Sequence, residues 1–74
     1  MVVEVRLFAT FRKDRFKTKE MDLSANTSIA DLLKLLKIPK EQVGILLVDG
    51  RAAKLAQKLT SKNVVSLFPA IAGG

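Results

Sequence analysis

Apolar and polar positions alternate from Val2 to Ala9, with Val3, Val5 and Leu7 on one face and Val2, Glu4, Arg6 and Phe8 on the other. A period of two predicts a half-buried strand. Thr18 to Leu23 repeats the pattern, Met21 and Leu23 facing one way and Glu20 and Asp22 the other. The basic segment between them, Thr10 to Lys17, is long for a hairpin and predicts a turn-and-loop excursion. From Ser28 the period changes. Ile29, Leu32, Leu33 and Leu36 recur at i, i+3, i+4 and i+7, which lays one apolar stripe along a helix. The Ser28 hydroxyl can accept from an orphan amide of the first turn, and Asp31 suits the positive helix end. Lys34 and Lys37 suit the opposite end, and Pro39 closes the helix by pushing Ile38 out of helical geometry.

Val43 to Asp49 is a mostly apolar run and predicts a buried strand. Asp49-Gly50 is a turn signal, followed by a short strand from Arg51 through Ala53. One helical turn is expected over Leu55 to Leu59. Val64 to Phe68 is the last strand, ended by Pro69, which has no amide to donate. The single amphipathic helix must cover the apolar face of the sheet, since no other element is available to cover either. The order predicts an α+β two-layer fold of the ubiquitin-like β-grasp type, a mixed sheet of four to five strands on one main helix. Residues 1–68 form the domain and residues 69–74 a flexible C-terminal tail.

The 74 residues leave no room for a second core. Cys, His, Trp and Tyr are all absent. That removes the thiolate nucleophile, the imidazole base, the Cys/His zinc site and the disulfide framework, so no metal site and no bound cofactor is expected. The chain is not expected to be an enzyme by itself. Its longest apolar run, Ile45 to Val48, is too short to span a bilayer, and Met1-Val2-Val3-Glu4 is unlike a signal peptide. A cytoplasmic protein that binds no membrane is the expectation. Thirteen Lys and Arg against seven Asp and Glu give a charge of +6. The basic residues are spread over three stretches with no zinc-finger, RNP-type or GXXG signature. A solvated basic surface that suits an acidic protein partner is therefore preferred to a small nucleic-acid-binding module. Phe11 and Phe16, set among Arg and Lys, are read as anchors fastening their loop to the core rather than as base-stacking platforms.

The remaining chemistry lies in the tail, Pro69-Ala70-Ile71-Ala72-Gly73-Gly74. Glycine lacks a Cβ, so a diglycine end is slim and can pass through a channel that larger residues would block. Six extended residues reach about 20 Å. The Gly74 carboxyl would be the working group, open to adenylation by an ATP-using partner.

The chain resembles the MoaD/ThiS family of sulfur carriers over its whole length. The residues that carry the resemblance are Val5-Arg6-Leu7-Phe8-Ala9 with Phe11-Arg12, the helix start Ser28-Ile29-Ala30-Asp31-Leu32-Leu33, Val48-Asp49-Gly50-Arg51, and above all Leu67-Phe68-Pro69-Ala70-Ile71-Ala72-Gly73-Gly74. The resemblance implies that an E1-like enzyme (MoeB/ThiF-like) adenylates Gly74 and that sulfur is then loaded as a thiocarboxylate. Phe68-Pro69 is more similar to the MoaD branch, the small subunit of molybdopterin synthase. This implies a MoaE-like large subunit as partner and molybdenum or tungsten cofactor synthesis as the pathway. The ThiS branch would instead serve thiazole synthase and thiamine, and a ubiquitin-like modifier would conjugate Gly74 to lysines.

Alternation also predicts a partner surface. Val65 and Leu67 share the helix-facing parity, which leaves Val64, Ser66 and Phe68 outside. In a β-grasp sheet the first and last strands are parallel neighbours, so Phe8 and Phe68 would meet on the uncovered face beside the tail. Contiguous apolar surface of this kind marks an interface. Phe8, Phe68, Arg6 and Arg12 are the expected partner-binding residues.

Overall fold

The computed structural model of the protein describes residues 1–70. Strand β1 (Val2–Leu7) is followed by a short 3-10 turn at Ala9–Arg12, strand β2 (Thr18–Asp22) and helix α1 (Ile29–Leu36). A second 3-10 turn at Lys40–Gln42 leads into β3 (Val43–Val48), β4 (Arg51–Ala52) and β5 (Val64–Pro69). The sheet order is β2-β1-β5-β3-β4, with β1 and β5 parallel and the other pairs antiparallel. β5 is therefore the central strand. Val3, Val5 and Leu7 of β1 and Val65 and Leu67 of β5 are fully buried with Ile29 and Leu32 of α1, so the expected parity holds on both strands.

The helix begins as its sequence predicts. Ser28 Oγ accepts from the Asp31 amide at 3.1 Å, and the Asp31 carboxylate accepts from the Ser28 amide at 3.1 Å, completing a capping box. These backbone and side-chain bonds to Ser28 lower the Asp31 pKa from its ordinary value of 3.8. A carboxylate with a depressed folded-state pKa contributes stability above its unfolded value and loses it as pH falls through the folded one. Asp31→Asn should therefore flatten the fall of stability below pH 3.8, read by circular dichroism across an acid titration.

At the other end Lys37 takes the left-handed conformation, φ 59°, and the Ile38 amide reaches back to the Leu33 carbonyl at 3.0 Å. The Arg15 guanidinium donates to the carbonyls of Leu36 and Lys37, both at 3.2 Å, and so caps the last turn from the basic loop. Of the apolar stripe, Ile29, Leu32 and Leu33 are buried, whereas Leu36 is only half-buried. Leu32→Ala is expected to cost about 2–5 kcal/mol and Leu36→Ala clearly less, measured by denaturant melts.

Four expectations need correction. β1 stops at Leu7 rather than Ala9, because Ala9 adopts φ 52° and turns the chain into the 3-10 turn. β5 extends one residue further than expected, to Pro69. Leu55 to Leu59 contains no helical turn. The segment crosses the start of α1, where the Ile29 amide donates to the Gln57 carbonyl at 3.0 Å and the Ala30 amide to the Leu55 carbonyl at 2.9 Å. Those first helical amides have no partner inside the helix, and this stretch supplies one. β3 is not buried throughout. Only Val48 is fully enclosed, and Ile45 is 53% exposed, because β3 has only the two-residue β4 beyond it and Ile45 lies on the sheet face without a helix. Asp49 and Gly50, at φ 53° and 82°, form the tight turn expected between Val48 and its partner Arg51. Phe11 is buried, and Phe16 packs partly against the core, as expected of loop anchors.

Candidate functional site

Parallel pairing of β1 with β5 sets Leu7 opposite Leu67, and the next residue of each strand projects to the uncovered face. The Phe8 and Phe68 rings stack there, with centroids 4.1 Å apart and planes 8° from parallel. A pair of this kind contributes about 0.5–1.5 kcal/mol beyond its buried area. Arg12 forms a third layer. Its guanidinium carbon lies 5.3 Å from the Phe8 ring centroid, and its Nε donates to the Leu7 carbonyl at 2.7 Å, which fixes the cation over the ring. Arg6 lies on the same face in an ion pair with Glu4. The structure therefore brings Phe8, Phe68 and Arg12 into one cluster, with Arg6 beside it across a cleft that Lys17 and Thr18 also line.

The apolar surface extends past the expected pair. Ile45 is in register with Phe68, and Leu47 with Ser66 on β5 and Ala52 on β4, so an apolar strip crosses the sheet from Phe8 to β4. The uniformly apolar run predicts Ile45 and Leu47 as core. Their parity opposite Phe68 and Ser66 is what places them outside.

Pro69 and Ala70 form the root of the tail. Pro69 pairs with Val43, and the Ala70 amide donates to the Gln42 carbonyl at 2.7 Å. Opposite them, Gly44 allows close backbone approach. A Cβ there would meet the Ala70 Cα at 2.8 Å. Sequence reasoning alone misses Gly44, whose only signal there is a glycine inside a strand pattern, the mark of a bulge or a close approach. Ile71, Ala72, Gly73 and Gly74, the expected working end, lie outside the described residues.

A family model matches this chain from residue 5 to residue 74, and it is that of the ThiS family. The chain belongs to the ThiS family. The matched span runs from Val5, midway along β1, and takes in the aromatic pair and the diglycine. Solved structures agree on a ubiquitin-like β-grasp. The HVO 2177 protein of Haloferax volcanii superposes with a TM-score of 0.83 at 26% identity, over 100% of this chain and 87% of the other. SAMP1 from the same organism gives 0.78 at 22% identity, over 100% of both chains. A chain from the complex of subunits 1 and 2 of molybdopterin-converting factor from Helicobacter pylori gives 0.64 at 24%, again over 100% of both. At those last two identities the likeness is one of fold. No curated protein matches the chain at a significant level. No helix among the described residues is long and apolar enough to cross a membrane.

Proposed function

We propose that this protein is a sulfur carrier whose Gly74 carboxyl, as the terminal group, is first adenylated and then converted to a thiocarboxylate. The protein then donates that sulfur as the MoaD-like small subunit of molybdopterin synthase. The observation that carries the reading is the stacked Phe8–Phe68 pair on the face without a helix, one residue before the root of a diglycine tail. A partner that seats on the aromatic pair lies beside the point from which the tail departs.

The chemistry is divided between chains. In the activating enzyme a Gly74 carboxylate oxygen attacks the α-phosphorus of ATP, and the bond to the β-phosphate breaks with release of pyrophosphate. A hydrosulfide-level sulfur nucleophile then attacks the acyl carbon. The C–S bond forms, the bond to AMP breaks, and the thiocarboxylate remains. This domain supplies the carboxyl, the docking face and the slim end, and ATP is bound by the partner. An E1-like (MoeB/ThiF-like) enzyme would be the first partner and a MoaE-like large subunit the second. The carrier is a co-substrate of these enzymes.

The ThiS family match favours one second reading, delivery to thiazole synthase, and the fold shared with SAMP1 keeps a modifier role in view. ATP–pyrophosphate exchange by the E1-like enzyme tests the carrier chemistry. Exchange that depends on this chain and saturates with it supports the proposal, whereas exchange indifferent to the chain overturns it. Sulfur transfer to pterin precursor with the large subunit, against transfer with thiazole synthase, separates the pathways.

A further inference from the structure

β5 loses its two neighbours at different points. On the β1 side pairing stops at Leu7 opposite Leu67, followed by a bond from the Phe8 amide to the Leu67 carbonyl at 3.2 Å. The chain then turns away at Ala9. On the β3 side pairing continues through Ile45 opposite Phe68 and Val43 opposite Pro69, to the 2.7 Å bond from Ala70 to Gln42. Backbone pairing with β3 and the 3-10 turn before it therefore guides the chain where it leaves the sheet, while Thr10 and Phe11 line a cleft beside Pro69 and Ala70. Pro69 has no amide to offer there, so the Ala70 amide is the hold that follows it.

Between Val43 and Ile45, β3 advances two residues while β5 advances one, so Gly44 is the extra residue of a bulge. A Cβ on Gly44 would lie 2.8 Å from the Ala70 Cα, 3.0 Å from the Ala70 nitrogen and 3.0 Å from the Pro69 oxygen. All three are backbone atoms, so no side-chain rotation can relieve the contact. Among the described glycines only Gly50 has a positive φ. Glycine at position 44 is therefore demanded by the neighbour it touches and not by its own dihedral. An added methyl group must therefore displace the backbone of β3 and the tail root relative to each other.

We propose that Gly44 is a positioning residue, which with the Gln42 carbonyl seats Ala70 and so aims the tail carboxyl from the docked domain into the activating enzyme. This rests on the carrier reading above. It separates two tasks, since the aromatic strip sets how tightly the partner binds and Gly44 sets where the reacting end arrives. A misplacement of about 1 Å at a reacting group can lower a rate by roughly a hundredfold.

The test is steady-state adenylation of the full chain by its E1-like enzyme, comparing wild type with Gly44→Ala. The expected result is a kcat lower by roughly ten- to a hundredfold with little change in KM for the carrier, because the docking face is intact. Wild-type kcat in the variant, or a raised KM at unchanged kcat, would overturn the proposal. Amide hydrogen exchange on the wild-type chain gives a second reading that needs no variant. The Ala70 amide should be protected, and exchange there at the rate of a free peptide overturns the proposal even if Gly44→Ala does not fold. Absence of adenylation in the wild type would instead count against the carrier reading itself.

Discussion

One residue added after Gly74 is expected to abolish adenylation while leaving the melting curve unchanged. The reason is positional. The chain is held at Ala70 by the Gln42 carbonyl, so the carboxyl's reach is counted from there and spans at most about 14 Å over four extended residues. An added residue moves the carboxyl past the α-phosphorus and places an amide where it should be. Deleting Gly74 withdraws it by about 3.5 Å and should be equally inactive. Gly73→Val should fail for a third reason, because a β-branched side chain narrows the accessible backbone angles and widens the end of the tail. None of the three changes touches the buried core of β1, β5 and α1, so unfolding should be unaffected. Pyrophosphate exchange measured beside melting curves checks all three. Wild-type-like exchange by the extended protein, without processing to expose Gly74, would contradict the account. A basic domain working through nucleic acid would be indifferent to these variants.

Phe8→Asp and Phe68→Asp should each weaken binding to the large partner by about thirtyfold or more, as loss of a buried aromatic anchor does at an interface centre. Both side chains point off the core, so the fold should survive with the modest loss of one stacking contact, about 0.5–1.5 kcal/mol. Each ring is half-covered by the other, and Phe8 also by Arg12, so some fall in melting temperature is part of the expectation. Leu35→Asp is the matched control. Leu35 is 61% exposed in the last turn of α1. Its replacement should leave affinity near wild type with a loss of about 1 kcal/mol of stability, because Asp opposes the helix dipole there. Titration calorimetry with circular dichroism on the same samples separates the outcomes. An unfolded Phe variant would make that ring a core residue, and unchanged affinity would remove the strip from the interface.

Local rules carried the sequence a long way here. The helix was legible from both ends because its cap, stripe and stop are all written between Ser28 and Pro39. The aromatic pair was legible too, from strand parity combined with the parallel pairing of β1 and β5. What escaped depends on partners far along the chain. Leu55 to Leu59 has enough apolar content for a turn of helix, but its carbonyls are drawn to the orphan amides of α1, 25 and 28 residues earlier. Arg15 reads as one charge in a basic loop, yet it closes the end of a helix 21 residues on. Ile45 and Leu47 have the composition of a core strand and the register of an exposed one. Gly44 matters only because Ala70 passes against it, a contact invisible until β3 and β5 are paired.

The central claim is that sulfur travels on the main-chain carboxyl of Gly74. Intact-mass measurement with sequencing of the C-terminal peptide tests it most directly, after incubation with ATP, a sulfur donor and the E1-like enzyme. Replacement of one oxygen by sulfur should add about 16 Da, confined to the peptide that ends in Gly74 and absent when ATP is omitted. An active enzyme that leaves that peptide's mass unchanged, or a gain elsewhere in the chain, would contradict the account.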